Sequence, residues 1–101
     1  MKVDKILIEL KKSIKLRNYD MVPTEKNRTS RRKYGLSLLD IEDFLLTLEK
    51  EDLFKGPEED RDCPGEELFI FKKEIMEEVI FYVKIKYKKG QIKIISLHED
   101  E

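Results

Sequence analysis

The 101-residue chain contains no run of about 18 apolar residues, so no transmembrane helix is predicted. Its start, MKVDKILIELKK, is acidic and amphipathic in places where a signal peptide would be uniformly apolar. A single cysteine, Cys63, excludes an intrachain disulfide framework and, by itself, a cysteine-based zinc site. There is no Ser-His-Asp set, HExxH, P-loop or Rossmann fingerprint, so no nucleotide cofactor and no other cofactor is expected. Together these absences predict a cytoplasmic protein with no membrane partner and no resident metal. The length suits one domain over residues 1–101, with a single two-layer core of helix against sheet.

Alanine is also absent, Gln91 is the only glutamine, and charged residues make up 43% of the chain. The dominance of Lys and Glu fits the surface ion-pair networks of a thermophile; an AT-rich genome gives a similar bias. Net charge is only −1 but unevenly spread. Residues 1–35 carry a basic surplus, residues 36–67 an acidic one, and residues 68–101 nearly balance. Such asymmetry marks either a polyanion-binding face beside an acidic one or two surfaces that neutralise each other.

Residues 1–50 read as the helical half. Val3, Ile6, Leu7, Leu10 and Ile14 recur at the spacing of an amphipathic helix ending near Leu16. Residues 17–35 form a basic connection, with a short extended segment before Pro23. Its last part, TEKNRTSRRKYG, is either a short helix ended by Gly35 or a mobile loop. Arg28, Arg31, Arg32 and Lys33 are the densest basic cluster of the chain and suit phosphate groups without sequence readout. Ser37 and Asp40 form an acidic capping box for a second helix to about Lys50. Leu38, Ile41, Phe44, Leu45 and Leu48 form its apolar stripe, and Glu42, Asp43, Glu49 and Glu51 its solvent face.

Residues 51–67 read as an acidic loop between the Gly56-Pro57 and Pro64-Gly65 turns. GPEEDRD has carboxylates for a divalent ion but lacks the ligand alternation of a calcium loop. Residues 68–98 hold the strands: 68–71, a polar connection over 72–78, then 79–87 and 91–98 joined at Lys88-Lys89-Gly90. Period 2 puts Phe81, Val83, Ile85 and Tyr87 on the core face and Tyr82, Lys84 and Lys86 on the other. In the last strand Ile92 and Ile94 oppose Lys93, Ile95 and Leu97, which predicts a central or half-covered strand.

A phenol and two ammonium groups on one sheet face suit a phosphodiester: the cations offset transition-state charge and the ring hydrogen-bonds or stacks. His98, near the end of the neighbouring strand, supplies an imidazole, the side-chain type suited to acid–base work. Lys55, just before the Gly56-Pro57 turn, is expected to reach the same groove. Such a set serves metal-independent RNA cleavage, in which a 2′-hydroxyl attacks the adjacent phosphate. An ordinary solvated sheet face has the same pattern.

The segments GLSLLDIEDFLLTLEKEDLFKGPEED, LFIFKK, FYVKIKY and IKIISLHEDE, about two-thirds of the chain, resemble the MqsR-type toxins of toxin–antitoxin systems. The resemblance implies a RelE-like α+β fold, a small antiparallel sheet packed against N-terminal helices. It also implies an endoribonuclease that cleaves mRNA and is held inactive by a cognate antitoxin protein. Lys55 and Tyr82 stand at the family's lysine and tyrosine positions, and His98 where members carry Lys or His. With Lys55, Tyr82 and His98 as catalytic residues, Lys84, Lys86, Arg28, Arg31 and Arg32 are the expected phosphate-binding set. The family's functional Gln has no counterpart; Phe69, Ile70 or Phe71 occupies that region. A non-enzymatic RNA- or protein-binding module of the same fold is the alternative.

Overall fold

A computed structural model describes residues 1–101. Helix α1 (Val3–Leu16) leads to strand β1 (Tyr19–Met21), then helices α2 (Glu25–Lys33) and α3 (Leu38–Leu46). A single 3-10 turn, Lys50–Asp52, precedes β2 (Leu53–Glu59), β3 (Glu67–Met76), β4 (Val79–Lys88) and β5 (Gln91–Glu99). The strands form one sheet in the order β1-β5-β4-β3-β2. The result is an α+β fold with a mixed sheet, because β1 runs parallel to β5 while every other pair is antiparallel. No helix is long and apolar enough to cross a membrane.

Both amphipathic helices form for the reasons their sequences give. In α1, Ile6, Leu7, Leu10 and Ile14 are buried, and Arg17 closes the helix in a left-handed conformation. In α3 the capping box is complete: the Asp40 N–H donates to Ser37 Oγ and the Ser37 N–H to Asp40 Oδ2. Ile41, Phe44, Leu45 and Leu48 meet the α1 stripe and the sheet residues Phe69, Phe71, Phe81, Val83, Ile85, Ile92, Ile94 and Leu97 in one core. Full burial of each such side chain contributes about 1.5–3 kcal/mol. Two assignments on α3 reverse: Leu38 is exposed, and Glu42 is buried. Glu42 is tolerated there because the Tyr19 hydroxyl donates to Oε2 at 2.6 Å and Arg17 pairs with Oε1 at 3.3 Å.

In the basic 17–35 connection the extended segment before Pro23 is β1, and of the two alternatives for its last part the short helix before Gly35 forms, as α2. Two further expected connections are regular structure. The acidic 51–67 segment contains strand β2, paired antiparallel to β3 with two register shifts. At Gly56 a Cβ would come within 2.7 Å of the Leu68 carbonyl oxygen, so only glycine lets β2 approach there. The polar 72–78 connection is the second half of β3, and the turn shrinks to Glu77-Glu78.

The decisive departure from strict alternation is in β5. Lys84 pairs with Ser96 but the next residue, Ile85, pairs with Ile94. Ile95 is thus an extra residue, a β-bulge, and it reverses the facing of everything after it. Leu97, expected opposite Ile92 and Ile94, joins them in the core, and His98 lies across from Tyr82.

Helix α2 holds this irregular edge. Its buried positions are polar, Asn27 and Ser30, and both face β5. The Leu97 N–H donates to Asn27 Oδ1 at 2.8 Å, while Asn27 Nδ2 donates to the carbonyls of Ile95 at 3.1 Å and Val22 at 2.9 Å. The Glu99 N–H donates to Ser30 Oγ at 2.9 Å. β1 is only three residues long, so these side chains replace the strand that β5 lacks beyond Ile94.

Replacing Asn27 by alanine strands buried backbone groups and is expected to lower stability by about 1–3 kcal/mol. For a domain of this size that is a fall in Tm of about 4–8 °C per kcal/mol. Thermal unfolding followed by circular dichroism reads it; an unchanged Tm would show that water replaces the amide without loss.

Candidate functional site

Across the sheet face away from the main core, cross-strand pairing sets Lys72, Tyr82 and His98 in one row and Ile70, Lys84 and Ser96 in the next. Ile70 is buried although it lies outside the main core cluster. The N-terminus of α2 borders these rows, where Thr24 caps the helix by accepting from the Asn27 N–H. Between them lies an open groove of about 520 Å³, lined by Tyr82, Lys84, Ser96 and His98 on the strands and by Thr24, Glu25, Lys26, Asp100 and Glu101 around its rim.

The Tyr82 and His98 rings stack, with centroids 5.4 Å apart and planes inclined by 16°. His98 Nδ1 lies 2.9 Å from the Glu99 carbonyl oxygen. A carbonyl only accepts, so this contact places the proton on Nδ1 and leaves the Nε2 lone pair of the neutral ring available. Burial, aided by the charges of Glu58 and Asp100 and opposed by Lys55, raises the Tyr82 pKa above the usual phenol value. Tyr82 is therefore a protonated donor at neutral pH. Lys84 takes part in no ion pair. The groove thus brings together a base-competent imidazole, a phenol donor and an uncommitted ammonium.

The other expected residues are placed differently. Lys55 sits beside the groove, pairing with Glu58 at 3.2 Å and acting on Tyr82 through its charge. Lys86 is removed from phosphate binding: it is 5% exposed, with Nζ 2.8 Å from Asp60 Oδ2 and 2.7 Å from Glu66 Oε1. This ammonium fastens the β2–β3 connection onto β4. Asp60, Cys63 and Glu66 bring three potential metal-ligand atoms within 4.8 Å of one another, but Lys86 already supplies the cation that the two carboxylates face. Arg28, Arg31 and Arg32 project from α2 into a separate concavity with Gly35 and Leu36 and do not line the groove.

Sequence reading missed several residues in or beside the groove. Lys72 is the cross-strand partner of Tyr82, pairs with Asp100 at 3.2 Å and lies 3.8 Å from the centroid of the exposed Phe54 ring. Ser96 stands two residues before His98 and so shares its face, a relation that period 2 contains once the bulge is known. Thr24 and Lys26 reach the groove because the helical alternative for residues 24–35 forms and brings its N-terminus there.

No family model, no curated protein and no solved structure matches the chain.

The Lys86 cluster gives a pH prediction. The Lys86 hydrogen bonds hold both carboxyls below the usual carboxylate range, with the Asp62 N–H adding at Asp60 and Lys88 adding at Glu66, while Asp60 and Glu66 together raise the Lys86 pKa. The carboxylate contribution to stability is present above the unfolded values of about 4 and is lost as pH falls through the lowered folded ones. The lysine contribution is present below about 10.4 and lost only as pH rises through its raised folded value. K86M should therefore have a lower Tm than wild type at pH 7, with the difference shrinking toward pH 2. A constant difference across that range in a calorimetric titration would contradict the assignment.

Proposed function

We propose that the protein is a metal-independent endoribonuclease acting on mRNA, the toxin of a toxin–antitoxin pair with a RelE-like fold. The single observation that carries this reading is the stacked Tyr82–His98 pair with Nε2 left open beside the uncommitted Lys84. The resemblance to MqsR-type toxins selects the same tyrosine and histidine positions. The meander β2-β3-β4-β5, with helices on one face and an open groove on the other, is consistent with a RelE-like arrangement.

In this reading His98 Nε2 removes the proton from a ribose 2′-hydroxyl. The freed oxygen attacks the adjacent phosphorus and the bond to the 5′-oxygen breaks. The products are a 2′,3′-cyclic phosphate and a 5′-hydroxyl. Lys84 offsets the charge that grows on the non-bridging oxygens. Tyr82 donates to the same phosphate and keeps the imidazole in place by stacking. The leaving oxygen receives its proton from solvent or from the imidazolium that the first transfer creates. Lys55, next to Tyr82, adds positive potential from the rim.

Purified protein incubated in EDTA with a defined single-stranded RNA should yield fragments ending in cyclic phosphate. H98A should lower the cleavage rate by about 10²–10⁴-fold, and K84A by about 10²–10³-fold. Y82F should reduce cleavage with an unchanged Tm. Equal cleavage by wild type, Y82F and H98A would remove the site from consideration. A gel shift without cleavage would replace the enzyme by an RNA-binding module.

A further inference from the structure

The groove where chemistry is proposed is poorly charged for holding a polyanion. Lys26 and Lys84 are opposed by Glu25, Asp100 and Glu101, so its lining carries no basic surplus. A single strand of RNA needs cationic contacts beyond the reacting phosphate.

Helix α2 supplies them on its other side. Asn27 and Ser30 face β5, and the two flanks of the helix diverge from that line. Lys26, Thr29 and Lys33 lie on one flank and border a cleft shared with His98 and Glu99, next to the groove. Arg28, Arg31 and Arg32 lie at i, i+3 and i+4 on the opposite flank and line a concavity of about 400 Å³ with Gly35 and Leu36. None of the three arginines is in an ion pair. Arg31 Nε donates to the Leu36 carbonyl at 3.5 Å, which leaves its terminal nitrogens unused.

We infer that the Arg28–Arg31–Arg32 concavity is a second RNA-binding surface, taking the phosphodiester backbone of a single strand whose reacting step lies in the Tyr82–His98 groove. The inference rests on the ribonuclease reading for its substrate. Guanidinium forks match phosphate oxygens two at a time, which a row of lysines does not. The strand crosses α2, a helix about 10–12 Å across, so contacts to the concavity need chain beyond the scissile step. A dinucleotide fills only the groove. Binding at the arginines reads no bases, and all sequence preference lies on the groove side.

The test uses a fluorescent single strand of about ten nucleotides, deoxy-substituted to block cleavage, and a cleavable dinucleotide and decamer of the same composition. R28Q/R31Q/R32Q should bind the long strand about 10- to 100-fold more weakly, with the slope of log affinity against log salt reduced by about 2. Its kcat on the decamer should match wild type, with the loss in KM alone, and its turnover of the dinucleotide should be unchanged. Unaltered affinity and salt slope in this variant would overturn the second surface while leaving the cleavage reading intact. Wild-type binding that the triple variant loses, without any cleavage, would keep the surface and end the enzyme reading. No RNA affinity in wild type, with tight salt-sensitive binding of polyglutamate, would overturn the proposal in favour of an acidic protein partner. Affinity for neither would overturn it outright.

Discussion

One side-chain amide sets the geometry on which the rest of this molecule depends. Asn27 spans the bulge in β5, accepting from the Leu97 N–H and donating to the Ile95 carbonyl. An extra residue in a strand disrupts the ladder and turns the chain, and it persists only where the displaced backbone groups find partners. A carboxamide is suited to this because it carries donor and acceptor side by side, as a peptide group does. The consequence reaches the site directly. With unbroken alternation from Ile92 and Ile94, Ser96 and His98 would enter the core and Leu97 would face solvent. With the bulge, Leu97 is 1% exposed and His98 stacks on Tyr82.

The abundant charge of the chain is sorted by the same architecture. Where a charged group is buried it is paired at once: Lys86 between Asp60 and Glu66, Glu42 between Tyr19 and Arg17. Burial and the bond to Glu42 push the Tyr19 phenol up to about 12, so that hydroxyl remains a donor throughout the neutral range. At the surface, Lys55, Lys72 and Lys73 each meet a carboxylate, and such pairs contribute little individually. Lys84 and the α2 arginines are among the cations outside every pair, and they stand at two concave surfaces on either side of one helix. A cation without a protein partner keeps its full potential for a ligand.

The elements legible in the sequence are those held by apolar periodicity or by a local cap. The α1 stripe, the Ser37–Asp40 box and the hairpin between Tyr87 and Gln91 are of this kind. Helix α2 stayed one of two alternatives because its buried face is Asn27 and Ser30, and hydrophobic periodicity is silent about a face made of amide and hydroxyl. β2 escaped because Gly56, Pro57 and two glutamates are turn residues by preference, and only pairing with β3 makes them a strand. The latter half of β3 carries Lys72, Lys73 and Glu74, whose extension is imposed by β4. At the site, Tyr82 and Lys84 follow from alternation alone. His98 stands out in the sequence only by its chemistry, and its placement rests on the bulge, which no periodicity announces. Lys86 obeys alternation too, but its role is decided by Asp60 and Glu66 from a distant connection.

The two edges of the sheet constrain how any macromolecule meets this fold. On one side β1 covers only Ile92 to Ile94, and Asn27 and Ser30 take up the backbone groups beyond. On the other, β2 has two register shifts, a proline that cannot donate, and the charged residues Lys55, Glu58 and Glu59. These are the features by which sheets resist pairing with a foreign strand. Recognition through added strands is therefore disfavoured at both ends, and the surfaces left are those built from side chains: the open sheet face and the flanks of α2. A polyanion is well matched to that situation, since it asks for cations at intervals and not for a backbone ladder. The helix that closes the edge is thereby the natural ridge over which such a ligand passes.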